Sequence, residues 1–471
     1  MMPHTLYRLA PLAAALWLAG CAVGPDYQRP ATPLPAVFAE QATSTASAAP
    51  STALPADWWT LFGDSTLNTL IDAGLRGNAD LRSAIARVEQ ADAAAREAGA
   101  ALLPNVDLQA AGSNNALSKQ TATWSVNSPD VLRARSAGLS LSYEIDVWGR
   151  VRRSNEAARA SLLASRYARD AIRLSVAGLI ASNYLNLRAL DAQLAVTAES
   201  LKSRQDSAQL VQARIAGGLV SPLDQYQADG AQATLQAQQA DLRRARALIE
   251  HQLALLTGQP GIPIAHADLT DLPLPPQPPI GLPASLIDAR PDVREAEQRL
   301  IAANAGIGLA KAAYYPKFSL TGGLGSESKT LTDLFTAGAG TWSLGLGAVL
   351  PLLDFGRNSA RVDQAQAINQ QSLIAWQKTL ETAYKEVRDA LVSLREQGAA
   401  EAAQQRRVDN ARKALDIAQR RYEAGYSAYL EVLDAQRSAN DARLALITTR
   451  QARLSAAVEL FKALGGGWPA S

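Results

Sequence analysis

Residues 136–147 read SAGLSLSYEIDV, and the alternation in that stretch decides the fold. Ala137, Leu139, Leu141, Tyr143 and Ile145 take every second position, with Gly138, Ser140, Ser142 and Glu144 between them. A period of two marks a strand whose two faces meet different surroundings. A soluble half-buried sheet would carry lysine and glutamate on its wet face; here that face is mostly serine and glycine. The length is near the ~9–11 residues that a tilted strand needs to cross a bilayer. The stretch predicts a membrane strand.

The same reading extends outward. Residues 341–350 (TWSLGLGAVL) alternate Trp342, Leu344, Leu346 and Ala348 with Ser343, Gly345 and Gly347. Residues 105–110 and 317–324 alternate more weakly. Four strands are expected, over about 105–113, 136–147, 317–326 and 341–353. Tyr143, Trp148, Phe318, Trp342 and Phe355 lie near strand ends as candidates for an interfacial aromatic girdle.

The chain is also written twice. Residues 79–108 align without gaps on 291–320, pairing Asp80 with Asp292, Arg82 with Arg294, Arg87 with Arg299 and Pro104 with Pro316. Further on, VWGR (147–150) matches DFGR (354–357), and RIAGG (214–218) matches RYEAG (421–425). A repeat at long range means one supersecondary plan used two times. In each half an alanine-rich helix stops at Pro104 or Pro316, since the residue before proline avoids the α region. Two strands follow, then a proline-free helical stretch, 149–215 or 356–424, and a return helix, 222–257 or 429–464. At 1.5 Å per residue each long helix would span ~100 Å. Alanine at packing positions reads as antiparallel coiled coil. The repeats are placed at 64–258 and 291–465, joined by a proline-rich connector at 259–290 and followed by a tail at 466–471.

The first residues carry an address. Arg8 precedes an apolar run, 9–19, too short to span a bilayer as a helix, so residues 1–20 read as a signal peptide. The run ends in LAGC, and Cys21 is the sole cysteine of the chain. Small residues directly before it resemble a lipobox, so Cys21 is expected to become the first residue of a mature lipoprotein, carrying S-diacylglycerol and an N-acyl chain, with an extended 21–63 segment; an ordinary small-residue cleavage site with an incidental cysteine is the plainer alternative. Ala22 rather than aspartate at the next position directs such a protein to the outer membrane. Contact with outer-membrane lipids follows.

Composition excludes several classes. Net charge is +2 over 471 residues, without the clustered basic face that nucleic-acid binding needs. Three scattered histidines and one cysteine give no zinc or haem ligand set, and no P-loop, HExxH or GxSxG pattern occurs in its required context. No catalytic residue, cofactor or metal is expected. Four strands cannot close a barrel, and open edges are not tolerated in lipid. The chain must therefore associate with copies of itself. Two copies would give eight strands filled by side chains, and three would give twelve around a water-filled lumen.

These features together resemble the TolC-like outer-membrane efflux factors, in particular the OprM-type (NodT-like) lipoprotein branch. The resemblance rests on GCAVGPDYQRP (20–30), WWTLFGDSTLNTLI (58–71), DVWGR (146–150), LPASLIDARPDVREAE (282–297) and YLEVLDAQR (429–437), and covers the mature chain. It implies an α+β membrane protein: a homotrimeric twelve-stranded β-barrel, four strands per chain, continued by a helical periplasmic tunnel. It also implies a periplasmic membrane-fusion adaptor and an inner-membrane RND-type pump as partners, with drugs or other small molecules as cargo.

One further constellation lies at the bends after the long helices. Glu431 and Asp434 stand three residues apart at the start of the second return helix, so they share one face. Compensation of the helix dipole would account for acids there without a function. A glycosidase pair would need carboxylates on opposite sides of a sugar, which one helix face does not provide. The resemblance implies that Glu431 and Asp434 form acidic rings at a closed periplasmic aperture, and that Asp224 and Tyr422 tie the two tip hairpins together. The family's best-known member has arginine where this chain has Ser427, and Arg421 is the candidate replacement. A non-conducting structural lipoprotein and a cell-wall hydrolase are the rival readings.

Overall fold

The computed structural model describes residues 22–31, 35, 38, 57–120, 122, 124–126, 129–269, 272–274 and 284–466, with residues 284–286 described in backbone only. The signal sequence and Cys21 lie outside the described residues.

The two halves carry the same order of elements. In the first, α1 (Ser65–Gly77) and α2 (Ala79–Ala100) lead to β1 (Asn105–Ala116), β2 (Val131–Ile145), α3 (Arg150–Ala216) and α4 (Pro222–Thr257). In the second, α5 (Pro291–Ala312) leads to β3 (Lys317–Ser328), β4 (Gly340–Val349), α6 (Arg357–Glu423) and α7 (Tyr429–Ala463). Both long helices have 67 residues, about 100 Å at 1.5 Å per residue.

The strands form one antiparallel sheet in the order β1-β2-β3-β4. Its register sorts the side chains by face. Leu108, Leu139, Leu324 and Trp342 stand in one row. Asp107, Ser140, Gly323 and Ser343 stand in the next, on the opposite face. Residues of the apolar row are largely open in the single chain, Trp342 at 80% and Leu108 at 78%. The register itself gives the sheet an apolar face suited to lipid; among the described residues no helix is long and apolar enough to cross a membrane.

Strand ends differ from the periodicity for local reasons. β2 begins at Val131 rather than near 136, because its ladder with β1 runs on from Arg135 opposite Gly112 to Val131 opposite Ala116, where Arg133 and Arg135 hide the alternation in the sequence. β4 stops at Val349 rather than near 353, just before Pro351, which has no N–H to donate to a ladder.

The duplicated motif is the joint from strand to long helix. Asp146 accepts from the amides of Val151 at 3.1 Å and Arg152 at 2.8 Å. Asp354 does the same for Gly356 at 3.1 Å and Asn358 at 2.9 Å. These carboxylates satisfy amides that a helix start leaves unpaired. Gly149 (φ 79°) and Gly356 (φ 84°) make the turn in the left-handed region. Trp148 is held in the first joint rather than in a girdle. It stacks on Tyr315 at 4.7 Å between ring centres, and its indole N–H donates to the Pro316 carbonyl at 2.8 Å. Phe355 is 92% exposed at the second joint.

Two compact units divide the chain. The first holds the sheet, with Arg87–Arg166, Glu295–Trp376 and the described part of Met1–Ala31. There the extended segment 22–31 is fastened beside the first joint. The Val23 amide donates to the Trp148 carbonyl at 3.0 Å, Arg153 to Asp26 at 2.6 Å and Asn304 to the Pro25 carbonyl at 2.9 Å. Gly24 and Gly308 cross so closely that a Cβ on Gly24 would stand 2.4 Å from the Gly308 Cα. The second unit is built on Trp58, Phe62, Ile71, Ile180, Tyr184 and Phe461, all buried. Beside that core Asp191 takes Arg246 at 2.6 Å, and both Arg188 and Arg246 hold connector carbonyls, at Ala265 and Ile264.

Candidate functional site: the two tip hairpins

The bends after α3 and α6 are built alike. Gly218 (φ 68°) and Gly425 (φ 80°) end the helices in the left-handed conformation. Their amides donate back to Ile215 and Tyr422, each at 2.9 Å, and the next amides reach Arg214 and Arg421. The restarts differ. Ser221 caps α4 through the Leu223 amide at 3.2 Å, with Pro222 in the first turn. Ala428 offers α7 no side-chain cap, and α7 starts instead on Tyr429, which is buried.

A small core joins the two hairpins: Ala208, Val211, Ala228, Tyr422, Tyr429 and Val432. Tyr422 and Tyr429 lie 5.6 Å apart between ring centres. Burial pushes the Tyr429 phenol above its ordinary range, with Asp224 and Asp229 adding to the rise and Arg204 opposing it. Desolvation lowers the Arg204 guanidinium from its ordinary value.

The tie between the hairpins is Arg214. Its guanidinium lies 4.3 Å from the centre of the Tyr422 ring and donates to the carbonyls of Tyr422 at 3.0 Å and Glu423 at 3.1 Å. Those carbonyls sit at the C-terminus of α6, where a cation also meets the negative end of the helix dipole.

The sequence-derived residues fall as follows. Glu431 and Asp434 lie in the first turns of α7 and are both exposed in the single chain, but neither is a bare carboxylate. Arg421 Nε stands 3.4 Å from Glu431, and Arg437 pairs with Asp434 at 2.6 Å. Asp224 sits half-buried in the first turn of α4. The expected phenol-to-carboxylate bond between Asp224 and Tyr422 is not made within the chain, because the buried Tyr422 hydroxyl has no hydrogen-bond partner. The ring packs under the Arg214 guanidinium and meets the Tyr429 ring at a 55° tilt instead. Arg421 does not replace that tie either, since its partner Glu431 belongs to the same hairpin. Ser427 Oγ is likewise buried without a partner. Sequence reasoning missed Arg214. The signal was in the repeat, where Arg214 aligns with Arg421.

Among the described residues no group of acids, histidines or cysteines could hold a metal ion. What the tip offers is paired opposite charges on an exposed helix face and a hairpin-to-hairpin clasp.

A four-stranded open sheet with one lipid-suited face, continued by 67-residue helices that turn at charged hairpins, defines the single chain of an outer-membrane channel. The family model for outer membrane efflux proteins matches residues 70–259 and 282–466. The chain belongs to that family. It is 35% identical to the cation efflux system protein CusC of Escherichia coli K12, over 98% of this chain and 99% of that protein. It is 35% identical to the toluene efflux pump outer membrane protein TtgI of Pseudomonas putida, over 99% of both. A crystal structure of CusC superposes with a TM-score of 0.85 at 33% identity, covering 95% of this chain and all of that one. The Campylobacter jejuni CmeC outer membrane channel superposes with a TM-score of 0.87 at 26% identity, covering 95% of each. The protein is an outer-membrane component of an efflux system, with a helical tunnel and a β-barrel as its architecture.

Proposed function

We propose that three copies of this chain close a twelve-stranded barrel and form a conduit that carries small molecules out across the outer membrane. The observation that carries this is the strand order. β1 and β4 are both sheet edges, and an open edge in lipid leaves backbone groups unpaired at several kcal/mol each. Pairing β4 of one copy with β1 of the next removes every edge. The lumen face then shows Asn105, Asp107, Ser140, Ser142, Thr321 and Ser343, a wetted lining of short polar side chains.

Cargo choice therefore belongs to the partners, a periplasmic membrane-fusion adaptor and an inner-membrane RND-type pump. Relatives named for cation efflux and for toluene efflux both align with this chain over nearly its whole length, which fits a conduit indifferent to cargo. We read the chain as a passage rather than an enzyme. Cys21 serves as a lipid anchor, and the fastening of residues 22–31 beside the first joint would hold that anchor near the base of the strands. Loss of a palmitate-analogue label in Cys21→Ser checks this; label kept on the serine variant would sink it.

At the tip, Arg214 on the Tyr422 ring is the closing contact within the chain, Asp224 and Arg421 stand on the same two hairpins, and Glu431 and Asp434 line the aperture. The test of function is single-channel current in a planar bilayer. Purified protein should conduct ions in discrete steps. A protein that inserts and never conducts supports the structural-lipoprotein reading instead.

A further inference from the structure

We propose that Arg133 and Arg135 form a phosphate-binding pair on the lipid-facing side of the barrel, recognising the phosphorylated glycolipid of the outer leaflet. The inference begins with register. Every row that contains Leu108, Leu141 or Leu346 belongs to the apolar face, and that face continues along β2 through Ala137 to Arg135 and Arg133. Over all four strands these two arginines are the only charged residues on that face. Asp107, Glu144, Lys317 and Glu327 all fall on the other. Two like charges on a face meant for lipid, with no acid beside them, need a partner from outside the chain.

Their height identifies that partner. The helices leave from one end of the strands, at Ile145 and Val349, so the β1–β2 and β3–β4 loops mark the far, outer end. Arg135 lies ten residues along β2 from Ile145. At ~3.3 Å per residue and a tilt of ~40° this is about 25 Å along the membrane normal, the height of a barrel's whole apolar band. A cation there sits at the outer-leaflet headgroups. Charges on the lipid face are costly at the midplane and tolerated at this level.

The side chains are prepared for an anion. Arg135 lies across Gly112, where a Cβ would come 3.3 Å from its Cδ. One terminal nitrogen of Arg135 donates to the carbonyls of Ser113 at 2.9 Å and Ala134 at 2.8 Å, and the other donates to Asn114 Oδ1 at 2.9 Å. That fixes the guanidinium plane and leaves Nε–H with one terminal N–H on the remaining edge. A parallel pair of N–H groups is the fork that phosphate accepts bidentately. Arg133, exposed and two residues on, shares the face opposite Asn114. The outer leaflet of such a membrane is built of acylated glucosamine disaccharides bearing phosphates, which offer two anionic groups at this depth. An anionic glycerophospholipid offers one, with no sugar to hold.

The test uses the full protein in nanodiscs of zwitterionic phospholipid. These are titrated with bisphosphorylated lipid A, with its phosphate-free form and with phosphatidylglycerol, reading bound lipid by native mass spectrometry. Bisphosphorylated lipid A should remain bound, and the phosphate-free form should bind at least about tenfold more weakly. R133Q/R135Q should lose the same factor with assembly unchanged, and R133Q alone should fall between. Unaltered binding in the double variant overturns the proposal. So does phosphatidylglycerol displacing lipid A at equal concentration, which would make the pair a general anion contact.

Discussion

At the residue scale the tip turns on which side chains cross from one hairpin to the other. Arg214 crosses, through a cation–π contact and two carbonyl bonds. The Tyr422 hydroxyl does not, being buried without a partner. A charge-assisted hydrogen bond contributes about 1.5–3 kcal/mol, and a cation–π contact about 0.5–1 kcal/mol at an exposed site. Arg214→Gln should therefore loosen the tip, raising single-channel conductance severalfold without adaptor or pump. Tyr422→Phe should change it far less. The opposite ranking would return the clasp to the phenol. The aperture carboxylates give a second prediction at this scale. Because Arg421 and Arg437 stand beside Glu431 and Asp434, removing both acids leaves the arginines unopposed. Glu431→Ala with Asp434→Ala should move reversal potentials from cation preference toward anions and relieve block by trivalent cations, as charged rings govern selectivity in channels. Unchanged reversal potentials would place the constriction elsewhere.

At the scale of elements, the joints explain why one motif occurs twice. Each places an aspartate on the first amides of a long helix and a left-handed glycine at the turn. A left-handed L-residue costs roughly 1–2 kcal/mol, so Gly149→Ala and Gly356→Ala should both lower the temperature at which the assembly resists detergent. Their sizes should differ. A Cβ on Gly149 would meet Ala22 at 3.1 Å, whereas nothing lies within 4 Å of one on Gly356. Equal shifts would mean that the N-terminal segment is not seated at the first joint. The elements were largely legible in the sequence, since periods of two and proline stops are written in neighbouring residues. The fold class followed from them. Strand ends were less so. Arg133 and Arg135 continue a lipid-facing row in a way that hydropathy alone does not read, because their partner is a headgroup region rather than a side chain. The tip was legible in position only. Which groups touch depends on the packing of Arg214 against Tyr422, a contact made across the hairpins that no local pattern specifies.

At the scale of the molecule, everything rests on the two sheet edges. The apolar rows, the polar lining and the strand order are those of one third of a closed wall. A four-stranded sheet has no stable existence alone in lipid, and twelve strands enclose water where eight enclose only side chains. The most direct measurement is the native mass of the purified protein in detergent, taken with its strand content. The account predicts three chains per particle, dissociating only when β structure is lost. A stable monomer that keeps the same strand content would contradict it.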